Sequence, residues 1–343
     1  MTQQHTPEIP THRPAESATA PPAAPSSAQA PDRRAGRPPS WTIVCAAGIT
    51  VLLWASAFVG IRSAGHDFSP GAMALGRMVA AALTLSVFAA VAAASARYRT
   101  AERATAESAA EPASFRALPR GRLLGLIALW GVVWFGGYNV ALNAAERLVD
   151  AGTAALLVAT APILVAVTAV AVLGERLTSR LGIGVAVAFA GVALIAVTGF
   201  TGRVDGVGVA LAVLSAVLYA FAVLLQKRLL ARVEAVTMTW LGALAGTAAL
   251  LPFLPALLSE LAAAPAASLA AVLYLGVFPT AVGFLTWGYV LSYWTAGRTI
   301  AATYLVPPVT VALSWTLLGE VPAVLALLGG AFCLAGVVLA TRR

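Results

Sequence analysis

AGTAALLVATAPILVAVTAVAVLGERLT, residues 151–178, is answered later in the chain by AGRTIAATYLVPPVTVALSWTLLGEVP, residues 296–322. Each stretch opens on Ala-Gly, holds a proline inside an apolar run and closes on Gly-Glu. Pro162 matches Pro307, Gly174 matches Gly319 and Glu175 matches Glu320, all at a shift of 145 residues. The same shift carries Gly184 onto Gly329 and Gly191 onto Gly336. Self-similarity at one fixed offset marks a duplicated structural unit. Upstream the match is weaker. Trp54, late in the first apolar run, falls on Tyr219 at a shift of 165, the difference being absorbed by a long link at 96–121.

Around these stretches the composition is that of a membrane protein. Of 343 residues 60% are apolar and 10% charged, against about 25% charged in soluble domains. Mean hydropathy is +0.87. Apolar runs recur at 42–61, 71–95, 122–143, 151–173, 179–199, 207–226, 236–257, 268–291, 299–318 and 322–341. Each is long enough to cross a hydrocarbon layer of about 30 Å as a helix. Helices satisfy their own backbone polar groups, which lipid cannot do. The expected fold class is therefore an all-α membrane protein of ten transmembrane helices, arranged as two inverted five-helix repeats.

Residues 1–40 stand apart. They are rich in Pro, Ala, Ser, Thr and Gln, too poor in bulky apolar side chains to offset ordering entropy. They read as a disordered cytoplasmic tail, followed by a first repeat over 41–200 with its link at 96–121, and a second over 201–343. Because each copy has five spans, the second enters the membrane upside down. With the N-terminus cytoplasmic, 18 of the 22 Lys+Arg lie on the cytoplasmic side, leaving Arg62, Arg77, Arg147 and Arg203 outside or near it. This bias orients the chain with both termini in the cytoplasm. The net charge of +8 is thus an orientation signal, and nucleic acid is not an expected partner.

The spans carry few polar side chains, and those few are candidates for a site. The third span has Trp130, Trp134 and Tyr138 at i, i+4, i+8, beside Asn139 and Asn143 at i, i+4. These rows share one helix face, which lines a pocket or packs against a neighbour. Trp54, Ser56 and Tyr219 are offered by the first and sixth spans. The eighth offers Trp287, and the ninth Tyr304 with Thr303. Arg77, a short way into the second span, either snorkels outward or pairs with a substrate carboxylate. These are the expected substrate-binding residues. Pro162, Gly174, Glu175, Pro307, Gly319 and Glu320 are the expected hinge or structural residues: each proline kinks its helix, and each Gly-Glu ends one helix and caps the next. No Asp or Glu lies mid-span, which argues against a carboxylate-driven carrier of lipophilic cations.

Cys45 and Cys333 are isolated inside apolar runs, and His5, His12 and His66 lack partners at ligand spacing. No metal, cofactor or catalytic residue is expected. Lys227, the only lysine, sits at a span end, where it suits no retinal pigment.

The pieces WASAFVGIR (54–62), SPGAMALGRMVAAAL (69–83), 151–178 and 296–322, in this order, resemble the drug/metabolite transporter superfamily, in particular its EamA-type ten-helix exporters. The resemblance covers nearly all of 42–341. It implies two inverted halves around a central cavity, and export of small metabolites such as amino acids or their derivatives by alternating access. Pro279, the Pro307-Pro308 pair and the long link depart from the family pattern. A facilitative, channel-like permease and a membrane enzyme acting on a lipid-linked substrate are the alternatives. The partners expected are a small solute and the bilayer. Ala and Arg richness fits a bacterial cell membrane; the oligomeric state is open.

Overall fold

The computed structural model describes residues 39–106, 118–161, 163–164, 179–197, 205–294, 299, 302–320 and 322–341. The 1–38 part of the tail, Pro162, Gly174 and Glu175 lie outside the described residues. Among these residues there are helices and no strands: α1 (Ser40–Ala64), α2 (Pro70–Ala106), α3 (Arg122–Ala145), α4 (Ala151–Val158), α5 (Ser179–Val197), α6 (Gly206–Leu229), α7 (Ala235–Ala263), α8 (Ala266–Tyr293), α9 (Thr303–Leu318) and α10 (Val324–Thr341). Six of them, α1 to α3 and α6 to α8, are long and apolar enough to span a bilayer; α5, α9 and α10 hold shorter apolar helices.

Apolar side chains also cover the outside. Leu83 is 65% and Trp315 63% exposed, an arrangement that needs a hydrocarbon solvent. α2 runs on to Ala106, so the first part of the expected link is helical. In α7 a 3-10 turn at Leu251–Phe253 carries the helix past Pro252. A proline tolerates the first turn of a helix, where its missing N–H would be unpaired anyway.

The contacts show how the halves are related. α1 packs on α8 as α6 packs on α3; α1 on α9 as α6 on α4; α2 on α8 as α7 on α3. α2 meets α7, α4 meets α9 and α5 meets α10, each its own counterpart in the duplication. In the last pair, a Cβ on Gly191 would collide with the Gly329 carbonyl, and one on Gly336 with that of Gly184. Between them the Cys333 thiol lies 3.5 Å from the Ala188 carbonyl, and 188 and 333 are themselves equivalent at the 145-residue shift. Positions thus rise along α5 as they fall along α10. Two equivalent helices that pack antiparallel require an inverted repeat, and Ala188–Cys333 marks the pseudo-two-fold.

The ninth span changes helix type just before its proline. The backbone tightens to a 3-10 turn at Thr303–Leu305, and Pro307 enters the following α-segment in its first turn. Gly319 ends α9 at φ 66°, a left-handed conformation that favours glycine. Glu320 pairs with Arg62 at 2.7 Å instead of serving as a cap.

Candidate functional site

Two helices lose their regular hydrogen bonding at the same place in each half. α3 is a π-helix over Val132–Tyr138, and α8 over Gly276–Val282. They start at 132 and 276, within one residue of the 145-residue shift, so the device is part of the duplication. A π-segment shifts the side-chain register and frees carbonyls, and it is found often at functional sites. In α3, Asn139 Nδ2 donates to the Trp134 and Phe135 carbonyls at 3.1 and 3.0 Å. In α8, Pro279 has no N–H to give the Leu275 carbonyl. The Thr280 hydroxyl donates to it instead, at 2.8 Å.

Thr280 then accepts from Arg77. The Arg77 Nε lies 2.7 Å from the Thr280 hydroxyl. Arg77 is 5% exposed, and its Nη1 is buried without a hydrogen-bond partner. It points inward and does not snorkel. A Cβ on Gly276 would collide with the Arg77 backbone carbonyl, just as one on Gly131 would collide with that of Gly242. These are equivalent contacts, and Gly242 is the counterpart of Arg77 at the 165-residue shift. The Trp130 ring fills the space where a side chain on Gly242 would lie. The cation of one half therefore has no mate in the other.

Arg77 opens onto a cavity shared by the halves. Trp54, Phe58, Trp134, Tyr138 and Leu142 line it from the first half, and Tyr219, Phe284, Thr303, Val306 and Pro307 from the second. It holds about 70 Å³ of water-accessible space, room for roughly two waters at liquid density. Its wall is mostly aromatic. Trp134 meets Tyr219 edge-on at 5.2 Å and Phe284 at 5.1 Å, and Trp54 lies 5.6 Å from Phe284. Such a site offers ring faces, a few hydroxyls and one guanidinium.

At one end, past Leu142, stands a charged layer. Arg62 ends α1. Its Nε reaches Glu320 at 2.7 Å and its Nη1 the Glu146 carbonyl at 2.7 Å. A separate surface cleft beside them is lined by Arg62, Arg147, Asp150 and Glu320.

The sequence profile of the EamA-like transporter family matches residues 41–197 and again 206–342.

The chain belongs to the EamA-like transporter family.

It is a multi-pass membrane protein, and its relatives are transporters. It is 39% identical over 306 residues to a protein of Streptantibioticus cattleyicolor called "Probable terminal-alkyne amino-acid exporter", covering 88% of this chain and 93% of that one. It is 30% identical over 300 residues to the "Uncharacterized transporter YdfC" of Bacillus subtilis, covering 86% and 89%. A solved crystal structure matches with a TM-score of 0.55 at 17% identity, over 87% of this chain and 97% of that one, a likeness of fold alone.

Within this EamA chain, Trp54, Arg77, Trp134, Tyr138, Tyr219 and Thr303 converge on the cavity, joined by Pro307. The other expected side chains do not reach its wall. Ser56 shares a hydrogen bond with the Tyr274 hydroxyl at 2.7 Å. Asn139 serves the π-segment, and Asn143 donates to the Pro70 carbonyl at 3.0 Å. Trp287 is buried behind Trp54, ring centroids 5.0 Å apart, with its Nε1 3.3 Å from Gln226. Tyr304 packs beside Ile163 and Ala188. Trp130 is fully buried, its ring edge-on to Trp134 at 5.7 Å.

Two residues were missed by sequence reasoning. Thr280 looks like one hydroxyl among many until Pro279 beside it is read as a freed carbonyl. Glu146 is 1% exposed, and neither of its carboxyl oxygens has a hydrogen-bond partner. Its signal was available: Asn139, Asn143 and Glu146 fall at i, i+4, i+7 and form one buried row. Burial pushes the Glu146 carboxyl well above the usual carboxylate range, while Arg62 and Arg77 pull it back down. Among the described residues no three His, Cys, Asp or Glu side chains gather as a metal site would require.

Proposed function

We propose that this chain is a secondary transporter that exports amino acids or their derivatives by alternating access around the central cavity. The observation that carries this reading is the unpaired Nη1 of Arg77, held by Thr280 and facing an aromatic chamber. Leaving a buried polar hydrogen unpaired costs about 1–3 kcal/mol. A carboxylate supplies the missing acceptor through a charge-assisted bond. The rings of Trp54, Trp134 and Phe284 suit the apolar part of the solute, and the π-faces and hydroxyls of Tyr138 and Tyr219 suit an ammonium. The name of the Streptantibioticus relative, with its terminal-alkyne amino acid, fits the same chemistry: a carboxylate beside a short, slim apolar side chain.

In this reading the chain sits in the cell membrane with both termini cytoplasmic. The Arg62–Glu320 pair then lies on the outer side and closes that end of the cavity by tying α1 to the loop after α9. Opening it and closing the cytoplasmic end in its place moves the solute across. The duplication supports such exchange, because each half can adopt the arrangement of the other.

The test is flux in vesicles carrying the purified protein. Labelled amino acids, among them a terminal-alkyne L-amino acid, are loaded and their exit is timed. Exit that saturates and that other amino acids compete against is the expected result. Wild-type vesicles that leak no faster than empty ones for every solute would sink the proposal.

A further inference from the structure

Glu146 lies outside the cavity wall, yet its charge is tied to the residue that lines it. The carboxyl is buried at the end of α3, one turn beyond the cavity residue Leu142. The charged and titratable groups that act on it are Arg62 of α1, Arg77 of α2, Tyr138 of α3 itself, Asp150 in the turn that follows, and Glu320 after α9. α6 also packs on this end of α3, but its Asp205 accepts from Val207 N and serves its own helix.

Neither nearby cation hydrogen-bonds to the carboxyl. Arg62 spends its Nε on Glu320 and its Nη1 on the Glu146 carbonyl, not the carboxyl. Arg77 spends its Nε on Thr280. An ionised carboxylate in this place has no hydrogen bond to either oxygen, an arrangement that costs several kcal/mol unless a proton neutralises it. What holds the charged form is the field of Arg62 and Arg77. A ligand carboxylate on Arg77 Nη1 cancels part of that field and adds a like charge, and both changes favour the protonated acid. By linkage the proton must favour the ligand equally.

We propose that Glu146 is a proton-binding site coupled to Arg77, so that a carboxylate docking on Arg77 draws a proton onto Glu146 and the two are bound together. The inference rests on the reading of Arg77 as the carboxylate-binding group. The proton comes from solvent, and no bond in the ligand is broken. The consequence is a transport cycle in which solute and proton share one loaded state.

The test is proton uptake by the purified full chain in weakly buffered detergent, read with an indicator dye. The probes are a terminal-alkyne L-amino acid and the simple carboxylic acid with the same side chain. Wild type takes up to one proton per ligand bound. Its affinity tightens as pH falls, by up to about tenfold per pH unit across the range in which Glu146 gains its proton. Glu146→Gln binds with little pH dependence and takes up none, while Glu146→Asp keeps the uptake, which separates a proton site from a packing role. Binding without proton uptake, or equal uptake in Glu146→Gln, overturns the inference and leaves the amino-acid reading intact. Binding of the simple acid alone, with uptake, sinks the amino-acid reading and upholds the inference. If neither probe binds, the carboxylate site at Arg77 is wrong and the coupling falls with it.

Discussion

The guanidinium of Arg77 and the hydroxyl of Thr280 meet at 2.7 Å across the two halves of the duplication. Thr280 is held by a carbonyl that Pro279 cannot serve, and Arg77 stands where the equivalent position is glycine.

Removing either partner therefore harms the same site differently. Arg77→Gln is expected to lower solute affinity at least tenfold while membrane insertion stays intact, since one charge-assisted bond contributes about 1.5–3 kcal/mol. Thr280→Val keeps the shape but leaves the Arg77 Nε unpaired. It should weaken binding less than Arg77→Gln and lower thermal stability as well. Vesicle flux and a melting curve check both; wild-type flux in a well-inserted Arg77→Gln protein removes Arg77 from the site.

The Arg62–Glu320 pair is part-exposed, with side chains 26% and 24% accessible. Such a pair contributes about 0.5–1 kcal/mol. Glu320→Gln should shift the population toward the state open at that end by roughly two- to fivefold. The exchanged pair, Arg62→Glu with Glu320→Arg, should recover part of the loss. The measurement is the labelling rate of a cysteine placed at Leu142 by a water-soluble thiol reagent. A rate indifferent to Glu320→Gln would show that the pair closes nothing.

Cys333 and Ala188 face each other on the pseudo-two-fold. Ala188→Cys, in a Cys45→Ala background, should form a crosslink with Cys333 within one chain on mild oxidation. The same treatment of Ala188→Ser should give none. Failure to crosslink, with both thiols reactive, would contradict the antiparallel α5–α10 pair.

The orientation has its own check. With both thiols removed, Asp150→Cys should react with an impermeant reagent on whole cells, and Arg232→Cys only after the cells are opened. The reverse pattern would invert the protein and place the Arg62–Glu320 pair on the cytoplasmic side.

Much of the fold is legible in one dimension because membrane helices are written as apolar length. The run 207–226 becomes Gly206–Leu229, and 122–143 becomes Arg122–Ala145. Trp54, Arg77, Trp134, Tyr138 and Tyr219, which line the cavity, were legible as candidates for a related reason: in lipid, polar and aromatic side chains on a span are few and need a purpose. Asn139 and Asn143 look the same in sequence but turn toward backbone carbonyls, because the π-segment before them moves the register. A strict i, i+4 reading cannot see that shift.

By itself the sequence determined the helices, their duplication and their inversion, since span length, a repeat offset and an odd span count are all carried along one dimension. Only the tertiary structure decided which partners the polar groups take. It gave Glu320 to Arg62, Arg77 to Thr280, and left Glu146 buried without a partner. Those outcomes depend on angstrom distances between residues of opposite halves, and in a medium without water each pairing, or its lack, sets what the site can bind.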